Sequence, residues 1–109
     1  MKIKLNLNER LMFLNLLPKE NNFAILGIIR TVSEEVRVTD NEYIEFEIKE
    51  EPNGQISWHP EKGKVEKEFK IGQVAELLII KELKKLDQEN KLVQSQLSLY
   101  EKFVENVSS

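Results

Sequence analysis

The sequence holds no cysteine, one histidine, one tryptophan, two aspartates and four glycines, none of them adjacent. Without thiols there is no disulfide framework, no thiolate zinc site and no cysteine nucleophile. The same lack agrees with a reducing compartment. His59 has no second histidine or thiol with which to share a metal or build a general-base pair. Asp40 and Asp87 stand far apart, and no Asp-x-Asp-x-Asp-Gly calcium loop occurs. Gly27, Gly54, Gly63 and Gly72 stand singly, so there is neither a phosphate-cradling glycine loop nor a Gly-x-Ser-x-Gly elbow. No apolar run approaches the roughly 18 residues of a membrane span. The opening Met-Lys-Ile-Lys-Leu-Asn-Leu-Asn has no signal-peptide core. These absences predict a cytoplasmic chain with no cofactor, no metal and no membrane partner.

What is present suits one folded unit over 1–109, with 40% hydrophobic and 32% charged residues. The net charge of −3 is unevenly spread. Residues 1–38 carry six basic and four acidic side chains, residues 39–71 five and nine, and residues 72–109 five and six. No segment concentrates Lys and Arg as phosphate binding requires, so nucleic acid is not an expected partner.

Ile3, Leu5 and Leu7 alternate with polar residues, the period of a half-buried strand. Asn8 is read as the cap of a helix over about 9–17, apolar nearly all round. Such a helix is either central or half covered by a second subunit. A second helix over about 23–37 sets Ile25, Ile28, Ile29, Val32 and Val36 on one face, with Gly27 read as a close-packing point against the first helix. Thr39 to Glu42 forms a capping box that predicts a short helical turn.

From Ile44 the period becomes two, with Ile44, Phe46 and Ile48 facing inward. A tight Asn53-Gly54 turn returns the chain through Ile56 and Trp58, and Val65, Phe69 and Ile71 suggest a third strand. A long helix over about 73–89 ends at Asn90 as a left-handed cap. Lys81, Lys84 and Lys85 are read as pairing with Glu82 and Asp87 on its wet face. A last helix over about 95–106 carries Leu97, Tyr100, Phe103, Val104 and Val107 on one stripe. The expected class is α+β: a short strand and two helices, a small antiparallel meander, then two helices.

Few residues offer chemistry. His59 is read as a hydrogen-bonded or solvated hairpin histidine. Trp58 either covers the sheet or is exposed as an interface anchor. Glu45 and Glu47 sit among further glutamates that imitate paired catalytic carboxylates. On the solvent face of a strand nothing would raise their pKa, so a solvated acidic face, one of the two surfaces to suspect for a partner, is the better reading. Arg10, Arg30 and Arg37 are the side chains that could meet phosphates.

Asn8-Glu9-Arg10-Leu11 leading to Leu16-Leu17-Pro18, Ile56-Ser57-Trp58, and Leu97-Ser98-Leu99-Tyr100-Glu101-Lys102-Phe103 resemble segments of small uncharacterised proteins carried by bacteriophages and other mobile elements. The likeness runs over most of the chain. It implies a setting and supplies no catalytic residue. The preferred reading is a non-enzymatic protein that binds and modulates a host or viral protein. It would be a homodimer through the first helix, with Met12 on its outward side. The alternative is a binder that sequesters a nucleotide signal between subunits.

Overall fold

The computed structural model describes residues 1–105 and has the α+β class expected from the sequence. β1 (Lys2–Leu5) leads into α1 (Leu7–Leu16), followed by α2 (Phe23–Val36) and α3 (Asp40–Glu45). β2 (Lys49–Glu50) and β3 (Ile56–Ser57) make a hairpin, β4 (Lys67–Lys70) follows, and α4 (Gln73–Gln88) is the longest helix. α5 (Leu97–Tyr100) continues as a π turn over Glu101–Glu105.

The strands expected as one meander are divided between two sheets. β2 pairs only with β3, Lys49 facing Ser57 and Glu50 facing Ile56. β4 pairs antiparallel with β1, setting Ile3 opposite Phe69, and both side chains enter the core. The strand expected from Ile44 is replaced by α3. The Thr39–Glu42 capping box starts a helix there, with Glu42 N–H donating to the Thr39 hydroxyl at 3.2 Å and Thr39 N–H to the Glu42 carboxylate at 3.0 Å. Local capping overrides the period-two pattern, and Ile44 is left 79% exposed. The hairpin loop is longer than a two-residue primed turn. Gly54 N–H donates to Glu51 O, Glu51 N–H donates to Gln55 O, and Gly54 alone takes a positive φ, 86°. That is the three-residue loop with a glycine bulge.

α1 is capped by Asn6, not Asn8. The Asn6 side chain accepts from Glu9 N–H and the Glu9 carboxylate accepts from Asn6 N–H, both at 2.9 Å. The earlier start places Leu7 in the helix, where it is buried. α1 proves central: Phe13, Leu16 and Leu17 are buried, and Met12 and Leu14 pack against the core. Ile79 and Leu83 of α4 join them. In α5 the buried residues are Leu99 and Phe103, and Leu97 of the expected stripe is exposed. The reason is packing, since the Phe103 ring stacks on Phe13 with centroids 5.8 Å apart. Val107 lies outside the described residues. Asn90 is the left-handed cap of α4 at φ 58°, and Lys91 N–H reaches back to Leu86 O at 2.8 Å as in a Schellman motif.

Candidate interaction surface

α2 is held at one end and uncovered at the other. Asn22 caps its start, its side chain accepting from Ile25 N–H at 2.9 Å. Ile29 at mid-helix and Val32 and Val36 in the C-terminal half enter the core. Arg10 then reaches across from α1: its Nε donates to Val36 O at 3.0 Å and its Nη2 to Arg37 O at 2.8 Å. Those carbonyls have no partner within the helix, so a buried guanidinium satisfies them.

The N-terminal half is different. Phe23 is 94% exposed, and Leu26 and Ile28 are also exposed. A Cβ added at Gly27 would meet nothing within 4 Å, so this glycine is not a packing point against α1. An interior helix glycine costs about 1 kcal/mol relative to alanine, and nothing within this fold compensates. Two concavities flank it. A groove of about 500 Å³ is lined by Ala24, Gly27, Ile28, Thr31 and Glu35 on α2, with Lys70, Gly72 and Ala75 across from them. A furrow of about 340 Å³ is lined by Phe23, Leu26, Gly27 and Arg30. A projecting phenyl ring beside an apolar recess is what a docking face needs.

The residues singled out in the sequence scatter. Glu47, Trp58 and His59 do come together, lining a small hollow of about 190 Å³ with Lys49 and Ser57. Trp58 is half-buried, and its indole occupies the space a side chain at position 63 would need, which is why glycine stands there. His59 Nδ1 accepts from Lys62 N–H at 3.3 Å, a hairpin role. Lys62 donates to Glu47 at 2.9 Å, and that bond above all holds the Glu47 carboxyl below its ordinary pKa. A carboxylate pushed in that direction is a poor general acid. Glu45 lies apart on α3, exposed.

Met12 is not outward: it packs against the core, and Ser95 Oγ lies 3.9 Å from its sulfur. The three arginines do not converge either. Arg10 is 1% exposed with its donors committed, whereas Arg30 on α2 and Arg37 just past its end are exposed. Among the described residues, Lys81, Lys84 and Lys85 make none of the expected ion pairs; they flank Leu77 and Ile80 along α4.

Sequence reasoning missed the buried charges of α1. Arg10 meets Glu42, and its guanidinium also lies over the Phe69 ring, 5.1 Å from the centroid. Glu9, 1% exposed, accepts from Lys102 Nζ at 2.7 Å. Lys102 also donates to Glu66 and to Lys4 O. Burial works against the Lys102 ammonium, yet its bonds to Glu66 and Glu9 prevail and raise its pKa. The signal available was the Asn6-x-x-Glu9 spacing, which places Glu9 at the capping-box position.

Among the described residues no three His, Asp or Glu side chains group closely enough to hold a metal ion, and no helix is long and apolar enough to cross a membrane. Comparison with protein-family models, curated proteins and solved structures finds no match to this chain.

Proposed function

We propose that this chain is a non-enzymatic interaction protein of phage or mobile-element type, acting in the cytoplasm by binding another protein and changing its behaviour. Its docking surface is the N-terminal half of α2. The observation that carries this reading is Phe23, a large aromatic side chain held almost fully in water at the start of a well-anchored helix. Exposed aromatic residues beside apolar recesses are where binding energy concentrates in protein interfaces. Arg10 spends its donors inside the fold and is not free to meet a phosphate, which favours protein binding over the nucleotide-binding alternative.

Quantitative co-purification from producing cells tests the reading, comparing the parent with Phe23→Asp and with Ile44→Asp as a control at another exposed apolar position. Phe23→Asp leaves the fold intact, since an acid at the first helical position suits the helix dipole. A stoichiometric protein lost only with Phe23→Asp is the expected outcome. A bound metabolite retained by all three proteins would overturn it.

A further inference from the structure

We infer that the partner enters as an extended segment that adds a strand to the free edge of β4, setting an acidic residue beside Lys70 and apolar residues into the groove against α2. This rests on the docking reading above and names the chemistry of its partner.

The ladder register shows which backbone groups are free. Met1 N donates to Ile71 O and Ile71 N–H donates to Met1 O, both at 2.7 Å, so these two residues form a hydrogen-bonded pair. Such pairs alternate along antiparallel strands. Ile3 and Phe69 therefore bond to each other, while Lys2, Lys4, Glu68 and Lys70 turn their N–H and C=O groups to the outer edges. On β1 that edge is partly closed, because Lys102 Nζ donates to Lys4 O at 2.7 Å. On β4, among the described residues, no hydrogen bond reaches the outward groups of Glu68 and Lys70.

This edge faces the groove. Arg10 holds Glu42 together with the C-terminal end of α2, and Glu42 lies 3.9 Å from Lys67 Nζ at the start of β4. Gly27, Ile28 and Thr31 share the groove of about 500 Å³ with Lys70 and Gly72 at the other end of the strand. α2 thus flanks β4 in the opposite sense, with room between them. A strand added here would send alternate side chains to the core face of the sheet, where α2 lines the groove, and the others to the outer face.

Charge specifies the outer-face residue. Lys70 stands directly opposite Lys2, both are exposed, and among the described residues neither has an ion-pair partner. Like charges opposite one another on adjacent strands are destabilising, so a carboxylate beside Lys70 is favoured. Glu68 already faces Lys4, of opposite sign. Glu35 is the one carboxylate lining the groove, so the acidic residue belongs on the Lys70 face and the apolar residues in the groove.

Selection from a displayed library of random short peptides, with the full chain as bait, tests this. Enriched peptides should alternate acidic and apolar residues. Their binding should slow amide exchange at Glu68 and Lys70, which exchange fast in the free protein. Glu68→Pro removes an outward donor and no ladder bond, so it should fold and bind the peptides roughly tenfold more weakly. Lys70→Glu should switch the enriched charge from acidic to basic. No enrichment, peptides without the alternation, or binding that leaves both amides unprotected would overturn the inference. If capture in cells depends on Phe23 while no peptide protects the β4 edge, the docking reading stands and only this inference falls.

Discussion

The guanidinium of Arg10 and the carboxylate of Glu42 lie fork to fork, Nη1 donating to Oε2 at 2.7 Å and Nη2 to Oε1 at 2.9 Å. This pair ties α1 to α3 while the remaining Arg10 donors close the C-terminal end of α2. Three helices thus share one cation, and that cation fixes how α2 leaves the core and how its uncovered half projects.

Removing the cation should be costly. Arg10→Met would strand the Glu42 carboxylate, 13% exposed, and two helix-end carbonyls. Breaking one side of a buried ion pair costs about 3–5 kcal/mol. Arg10→Lys keeps the charge and loses the fork, and should recover less than half of that. Urea denaturation near neutral pH measures both, and an Arg10→Met protein as stable as the parent would remove the clamp from the fold's energetics.

Acid should weaken the same contact. The hydrogen bond from Arg10, more than any other influence, lowers the Glu42 pKa from an ordinary 4.5 to about 2. The unfolded chain then takes up its proton at higher pH than the folded one. The stabilisation is whole above about pH 4.5, falls as pH drops, and is gone near pH 2, amounting to about 2–3 kcal/mol at neutrality. The stability gap between the parent and Glu42→Gln should narrow over that window. A gap that does not vary with pH would contradict the assignment.

Glu47 ends α3 at φ 55°, in the left-handed region where a side chain is strained and glycine is not. Ile48 N–H bonds back to Tyr43 O at 3.0 Å, completing a Schellman motif on a residue unsuited to it. Glu47→Gly should raise the Tm by roughly 2–6 °C in a domain of this size, despite losing the exposed contact with Lys62. Calorimetry reads this directly, and an unchanged or lower Tm would mean that the Lys62 contact outweighs the strain.

Local signals were legible in the sequence: the Thr39–Glu42 box, Asn90 as a left-handed cap and the inward Ile29, Val32 and Val36 of α2 all depend on near neighbours, although Ile28, expected on the same face, stays exposed beside the groove. What was hidden is non-local. β1 and β4 are separated by most of the chain, and a period of two says which face is buried but not which strand lies alongside. The burial of Arg10 and Glu9 was hidden because their partners, Glu42 and Lys102, come from distant elements. The apolar surplus was legible, but its place was not. All-round hydrophobicity made α1 the expected interface, yet neighbours on several sides cover it, and Phe23, Leu26 and Ile28 at the start of α2 are the apolar residues left exposed there.

Site-specific photo-crosslinking tests the docking role of α2 most directly. A photoreactive amino acid at position 23 samples the exposed ring, and one at position 45 samples the exposed acidic turn of α3. On irradiation of producing cells, position 23 should give a discrete adduct with another protein, and position 45 should give none. Adducts from position 45 alone, or from neither position, would contradict the assignment of the N-terminal half of α2 as the docking surface.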